Sequence, residues 1–336
     1  MIKEAISAVV EGKDLTEKET IEVFTEIMEG KATDAQIAAF LVALRLKGET
    51  IDEITGAVRV MRKKAMKIAP KVDMLVDTCG TGGDSAGTFN ISTTAAFVVA
   101  GAGIAVAKHG NRSVSSKSGS ADVLSMLGVK IDVSPEVVVK CIEEANIGFL
   151  FAPQYHGAMK YAIGPRREIG IRTIFNVLGP LTNPAGAKAQ VIGVYDAKLT
   201  DVLCEVLSNL GTKRAFVVHG YPLDEISICG KTKITELNEG VVTTHTVKPE
   251  DFGFRAVGLS LIAGGTPEEN SRITLDILNN VKGPRYDITV LNAAAAIAAA
   301  GMAGTIKDAI PIAKESIESG RALLALERLK EITNAG

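Results

Sequence analysis

Apolar positions in the first part of the chain recur with a helical period, beginning with Ile2, Ala5, Ile6, Val9 and Val10. Thr16 with Glu19, Thr33 with Gln36 and Thr50 with Glu53 each stand just ahead of an amphipathic run. At that spacing the hydroxyl accepts an N–H of the first turn while the longer side chain reaches back to the cap. Gly30 and Gly48 fall where helix C-caps are expected. Short helices with short connections predict a small bundle over residues 1–70. Ile37, Phe40, Leu41 and Leu44 form one apolar stripe, which serves either the bundle's own core or a dimer face.

After Ala69-Pro70-Lys71 the pattern changes. Strand-like runs are predicted at Met74–Val76, Ala105–Ala107, Val129–Val133, Gly148–Phe151, Ala189–Val194 and Ala215–His219. Helical runs between them fall at Ser92–Ala102, Ala121–Leu127, Glu136–Glu144 and Leu199–Leu210. Alternation of this kind predicts an α/β unit with a mainly parallel sheet. Val241–Val247 and the region near Ser260 read as extra, antiparallel strands, and the tail from Pro267 as mostly helical. Gly164 to Pro184 breaks the alternation with two X-Pro stops and predicts an excursion back to the bundle. The division is therefore 1–70 for the helical domain, with 164–184 returning to it, and 71–163 with 185–336 for the α/β domain. A chain of 336 residues suits two cores.

Composition removes several classes of function. With 37 Lys plus Arg against 39 Asp plus Glu, no basic field invites nucleic acid or an anionic membrane. The start, Met1-Ile2-Lys3-Glu4, lacks the apolar core of a signal peptide, and Ala293–Met302 is too short to span a bilayer. Cys79, Cys141, Cys204 and Cys229 have neither pairing nor metal spacing, which suits free thiols in the cytoplasm.

Candidate chemistry begins at Val76 to Asp84. An apolar run ends in Gly80, Gly82 and Gly83, then Asp84, and Asn90-Ile91-Ser92-Thr93 opens a helix of small residues. Glycines let a ligand approach backbone N–H groups, and the helix N-terminus adds positive potential, so the stretch reads as a phosphate cradle. It is not a P-loop, because no lysine lies between Asp73 and Lys108, and Ser85 stands where the dinucleotide fingerprint needs its third glycine. The stretch Lys108 to Ser120 carries Lys108, Arg112 and Lys117 with five serines, and should leave the same sheet edge. Asp224-Glu225, after a further strand, suit Mg²⁺, which takes few carboxylates and keeps water and phosphate oxygens. His156 and Arg166 lie on a separate segment, and a guanidinium there suits a substrate carboxylate. His219 and His245 read as structural, and Cys79 as a small buried residue without a basic neighbour.

Together, Gly80-Thr81-Gly82-Gly83-Asp84, Asn90 to Thr93, Lys108-His109-Gly110-Asn111-Arg112, Gly119 to Asp122, Arg172-Thr173-Ile174-Phe175-Asn176 and Leu178 to Pro184 resemble anthranilate phosphoribosyltransferase, in that family's order over residues 78–225. The resemblance implies a nucleoside phosphorylase/phosphoribosyltransferase type of fold and a homodimer formed through the helical domain. It implies transfer of the phosphoribosyl group of phosphoribosyl pyrophosphate (PRPP) to the amine of anthranilate in tryptophan biosynthesis. Carried over, Gly80, Gly82, Gly83, Asp84, Thr88, Asn90, Ile91, Ser92, Thr93, Lys108, Asn111, Arg112, Ser113, Val114, Ser115, Ser116 and Ser120 would hold PRPP. Anthranilate would meet Gly80, His109, Asn111, His156 and Arg166. Ser92 and Glu225 would bind one Mg²⁺, and Asp224 with Glu225 a second. No general acid or base is assigned. A loose association with anthranilate synthase is implied, and at this length fusion to a glutamine amidotransferase is not expected. Gly157 stands where the family often has proline, and Gly164-Pro165 also vary. The competing readings are a pyrimidine nucleoside phosphorylase of the same architecture and a non-catalytic relative that binds nucleic acid. The first differs in its glycine loop, and the second calls for a basic surplus that the chain lacks.

Overall fold

The computed structural model describes residues 1–84, 86–113 and 117–335. Four helices come first: α1 (Ile2–Val10), α2 (Glu17–Met28), α3 (Asp34–Lys47) and α4 (Ile51–Lys64). The three threonine boxes cap α2, α3 and α4 reciprocally. At the first, Glu19 N–H donates to Thr16 Oγ1 at 3.3 Å, and Thr16 N–H donates to Glu19 Oε2 at 2.9 Å. Gly48 ends α3 with φ +90°, a conformation that favours glycine. Ile37, Phe40, Leu41 and Leu44 are all buried inside one chain, so that stripe is core and is not available to a dimer.

The α/β domain follows as β1 (Leu75–Gly80), α5 (Ile91–Gly101), β2 (Ala105–Gly110), α6 (Ser120–Met126), α7 (Pro135–Ala145) and β3 (Ile147–Phe151). Next come α8 (Ala152–Tyr155), α9 (Lys160–Ile169), α10 (Phe175–Leu181), β4 (Ala189–Gly193), α11 (Leu199–Asn209) and β5 (Arg214–His219). The chain ends with β6 (Thr232–Asn238), β7 (Val241–Val247), α12 (Pro267–Leu278), α13 (Pro284–Ala299), α14 (Ile306–Glu318) and α15 (Arg321–Ala335). Among the described residues the strands form one sheet in the order β3-β2-β1-β4-β5-β6-β7. The first five are parallel, and β6 and β7 add antiparallel at one end.

Strand alternation sorts side chains to the two faces. Val191, Phe216 and Val218 face the core formed with α5 and α13, whereas Ile192, Ala215 and Val217 face α11 and the bundle. The alanines of α13, buried from Ala293 to Ala299, let it lie close against α5 and α14. Gly101, at the end of α5, has no room for a side chain, since a Cβ there would lie 2.5 Å from the Ala322 nitrogen. Beyond β3, α9 packs on α2 and α3, and α10 on α4.

Two predicted strands are not strands. Val129–Val133 does alternate, with Val129, Ile131 and Val133 buried, but no neighbouring strand pairs with it, and Lys130 N–H instead donates to Thr333 Oγ1 of α15 at 3.3 Å. Apolar alternation records burial of one side, and helices can supply that burial without a ladder. Near Ser260 the chain makes a 3₁₀ turn, Leu259–Ile262. β6 went unpredicted because Thr232–Asn238 carries Lys233 and Glu236 among its apolar residues. No helix among the described residues is long and apolar enough to cross a membrane.

Candidate active site

β1 and β2 are adjacent and parallel, so the glycine loop and the loop after β2 leave the same sheet edge. The glycine loop is tied to β4 beside it. Thr81 N–H donates to Gly193 O at 2.9 Å, and Tyr195 N–H to Thr81 Oγ1 at 3.2 Å. Gly82 and Gly83 take φ +67° and +77°, the left-handed region in which a side chain is strained. Gly82 N–H donates to Asp224 Oδ2 at 2.9 Å, and Ser92 N–H, in the first turn of α5, donates to Glu225 Oε1 at 3.1 Å. Both anion-binding features therefore already hold a carboxylate from the loop after β5. Asp84 joins them through Oδ2, which accepts Asp224 N–H at 3.4 Å, while its Oδ1 accepts Ala86 N–H at 3.0 Å.

Charge is concentrated here. Burial first, and Asp84 second, push the Asp224 carboxyl up to about 7. Burial and Asp224 hold Glu225 well above the usual carboxylate range. Lys108 is buried in β2 beneath the loops, where its Nζ donates to Thr78 O at 2.5 Å and lies 3.4 Å from Ser92 Oγ. The expected loop Lys108 to Ser120 thus begins as strand, and Lys108 meets the cluster from below. Asn292 of α13 shapes the carboxylate turn from behind, with Oδ1 accepting Ile226 N–H at 2.9 Å and Nδ2 donating to Ile226 O at 2.9 Å.

The donor set of Asp84, Asp224, Glu225 and the Ser92 hydroxyl is all oxygen, and a cation would favour ionisation of its buried carboxyls, which fits Mg²⁺. Among the described residues no three His, Cys, Asp or Glu side chains close a metal site alone. A cation here would complete its shell from hydroxyl, water or substrate oxygens, as Mg²⁺ usually does.

In the loop after β2, Asp122 of α6 gathers the backbone, accepting Gly119 N–H at 2.9 Å and Ser113 N–H at 3.1 Å and pairing with Arg112 at 2.9 Å. Ser120 Oγ donates to Asn111 O at 3.2 Å. Asn90 Nδ2 donates to Ser118 O at 3.2 Å, and its Oδ1 accepts Asn270 Nδ2 at 2.9 Å. Asn270 was not foreseen, since nothing local marks an asparagine of α12 as a partner of Asn90. Thr88 makes an isolated bridge to Ala263, and Ile91 and Thr93 are buried in α5. Val114, Ser115 and Ser116 lie outside the described residues.

The opposite wall comes from the return segment. His109 Nδ1 is 3.2 Å from Gly179 O, and His109 Nε2 is 3.2 Å from His156 Nε2. A carbonyl can only accept, so His109 carries its proton on Nδ1. Burial pushes His109 down to about 3 and His156 to about 4, so both rings are neutral. His109 Nε2 is then the acceptor, and His156 Nε2–H donates to it. Arg166 is half-buried on α9, stacked 5.0 Å from the Phe175 ring, and burial lowers its pKa. Asp77, missed by inspection, sits fully buried under this wall; Asn183 Nδ2 donates to it at 2.7 Å and His109 N–H at 3.2 Å, and burial raises it to about 6. Cys79 donates weakly to Pro180 O at 3.9 Å, and burial holds its thiol well above the ordinary range, so it is not a nucleophile. His219 Nδ1 bonds Val194 O at 2.7 Å, a structural contact, whereas His245 is exposed on β7.

The histidine pair has a consequence for acid stability. Its folded pKa values lie below the ordinary 6.5, so an unfolded chain takes up these protons first. The stability contributed by the pair is complete above about pH 6.5 and lost as pH falls toward 4 and then 3. Urea titrations should therefore show a shallower acid decline in H109Q/H156Q than in the unaltered protein. Equal slopes would mean the rings are protonated in the fold.

Known proteins resemble this chain over nearly its whole length. A family described as glycosyl transferase family, a/b domain, matches residues 72–323, and its helical bundle domain matches residues 3–65. Anthranilate phosphoribosyltransferase of Moorella thermoacetica is 56% identical over 330 residues, covering 98% of this chain and 97% of that protein. The crystal structure of the Thermus thermophilus enzyme of that name superposes with a TM-score of 0.93 at 41% identity, covering 98% of this chain and 99% of the other. The Saccharomyces cerevisiae enzyme, solved in complex with PRPP and Mg, superposes with a TM-score of 0.90 at 28% identity, covering 100% and 98%. This chain belongs to the anthranilate phosphoribosyltransferase family of glycosyl transferases.

Proposed function

We propose that the protein transfers the phosphoribosyl group of PRPP to the amine of anthranilate, releasing pyrophosphate, as a step of tryptophan biosynthesis. The observation that carries this reading is convergence at one sheet edge. The glycine loop and the α5 N-terminus each donate to one carboxylate of the Asp224-Glu225 pair, and His109, at the same end of β2, bonds His156.

In this reading the pyrophosphate and 5-phosphate oxygens take over the loop and helix N–H groups that Asp224 and Glu225 hold here. Arg166 receives the anthranilate carboxylate, and the neutral histidines line the aromatic ring. The bond from the anomeric carbon to pyrophosphate breaks as the amine forms its bond to that carbon. Anthranilate is already a nucleophile, so the demand on the protein is to orient two substrates and to stabilise departing charge. Ser92, Asp224 and Glu225 would hold Mg²⁺, as two ions in the family's arrangement, which when bound neutralises the charge growing on the leaving group.

The helical domain, residues 1–70 with 164–184, would bring anthranilate, and residues 71–163 with 185–336 would bring PRPP. A homodimer through the helical domain is supported by Val10 and Leu46, which are 69% and 82% exposed on the adjoining helices α1 and α3. Four free cysteines fit a cytoplasmic setting, and a loose association with anthranilate synthase would place the enzyme next to its substrate's source.

The test is loss of anthranilate fluorescence on mixing with PRPP and Mg²⁺. Loss that requires both is the expected result. Pyrophosphate release with other acceptors but not with anthranilate would discard the acceptor. Phosphorolysis of a pyrimidine nucleoside, with no reaction of PRPP, would replace this reading with the phosphorylase.

A further inference from the structure

Arg172 belongs to the family motif yet has no part in the site as described above. It lies between α9 and α10, on the segment that returns to the helical bundle, but its guanidinium reaches across to the glycine loop. Nη2 donates to the Gly83 carbonyl, and Cζ lies 4.2 Å from the centre of the Tyr195 ring. Tyr195 is itself fixed to the same loop through Thr81, at 3.2 Å. The base of Arg172 is equally well held. Gly170 closes α9 at φ +60°, Thr173 N–H donates to Asn176 Oδ1 at 3.0 Å, and Thr173 and Ile174 are buried. A guanidinium stacked on one ring and bonded to one carbonyl has a defined place that an ammonium would not have.

The target of this clamp matters. In a trans peptide the carbonyl of one residue and the N–H of the next point in opposite directions. Holding the Gly83 carbonyl therefore aims the Asp84 N–H away from Arg172. Gly83, at φ +77°, has no side chain to lock this peptide, and a Cβ there would lie 2.9 Å from Arg172 Nη2. Gly82 N–H and the Asp84 carboxylate are tied to Asp224 on either side, and the bond from Arg172 is the one that fixes the Gly83 carbonyl between them.

We propose that Arg172 is a positioning residue for PRPP: it stacks on Tyr195, holds the Gly83 carbonyl, and so sets the Asp84 N–H in the direction from which the pyrophosphate binds. Because Arg172 is carried by the segment packed on the bundle, the helical domain thereby helps to build the phosphate site of the other domain. This inference rests on the PRPP reading above.

The experiment compares R172A, R172K, Y195F and Y195L with the unaltered protein. PRPP affinity is read by calorimetry in the presence of Mg²⁺, KM for each substrate by anthranilate fluorescence, and folding by circular dichroism melts. R172A should weaken PRPP binding and raise its KM by about tenfold, the scale of one charge-assisted hydrogen bond. Its KM for anthranilate should stay within about twofold and its melting temperature should be little changed, because Arg172 is solvent-exposed. R172K should fall between, Y195F should match the unaltered protein, and Y195L should follow R172A in part. PRPP affinity of R172A within twofold of the unaltered protein would overturn the proposal. Equal losses for both substrates together with a lowered melt would overturn it as well, reducing Arg172 to a structural contact. If the unaltered protein binds no PRPP, the underlying reading falls too; if it binds and turns over PRPP but R172A is indifferent, the inference alone falls.

Discussion

The double variant D224N/E225Q is expected to lose turnover by at least about 10²–10³-fold while keeping its fold. The magnitude is that of removing a preorganised electrostatic element from a site where charge develops. Each amide keeps the shape of the carboxylate and one acceptor oxygen, which suffices for Gly82 N–H and Ser92 N–H, now 2.9 and 3.1 Å from their acceptors. What disappears is the capacity of Asp224 and Glu225 to ionise beside Asp84 when a hard cation binds, and with it the affinity for that cation. Two readouts separate charge from folding. Mg²⁺ with pyrophosphate should raise the melting temperature of the unaltered protein by mass action and leave that of the variant in place. Without ligand, the variant should melt close to the unaltered protein, because burial already shifts both carboxyls toward their neutral form and the amides create no cavity. Activity within tenfold of normal would remove these carboxylates from the reaction. An unfolded variant would show that they are needed for the fold.

Gly193→Ala is expected to be the most damaging single methyl. A Cβ at Gly193 would lie 1.5 Å from the Asp224 carbonyl oxygen and 2.4 Å from its carbon, both backbone atoms. Neither side can yield at low cost. β4 is paired on both edges, Gly193 being in register with Gly80 and Val218, and its carbonyl accepts Thr81 N–H at 2.9 Å. The loss should be about 3–4 kcal/mol in urea unfolding, at the upper end for overpacking. Whatever folds should be nearly inactive, because the displaced atoms carry the Asp224-Glu225 turn. Gly82→Ala is the control: it has no atom within 4 Å of the added carbon, and only its φ of +67° opposes the change. It should cost about 1 kcal/mol, the penalty for an alanine in the left-handed region. Equal stability of the two variants would show that backbone strain, and not the close approach of β4 to the carboxylate turn, governs both positions.

Much of the architecture was legible along the chain. The threonine boxes at Thr16, Thr33 and Thr50 are local devices whose donors and acceptors lie three residues apart, so no distant contact can hide them. The glycine loop was readable for the same reason, since Gly82 and Gly83 serve a backbone conformation. Its placement beside the loop after β2 followed from alternation of strands and helices, which obliges parallel strands to release their loops at one edge.

What needed the tertiary structure were the pairings between residues far apart in the chain. That Asp224 enters the glycine loop, that Asn270 supports Asn90, and that Asn183 donates to Asp77 are matters of which elements pack together. Lys108 looked like a loop cation because composition is blind to the end of a strand; one pleat decides that its side chain turns beneath α5. The alternation of Val129–Val133 promised a strand, but the burial it records is supplied by helices. The stripe from Ile37 to Leu44 could have been a dimer face until α1, α2 and α9 were seen to cover it. Sequence patterns of this kind fix which residues leave water and how each short segment bends, because those forces act within a few residues. The partner that each buried group meets depends on the packing of the whole chain, and only the folded protein selects it.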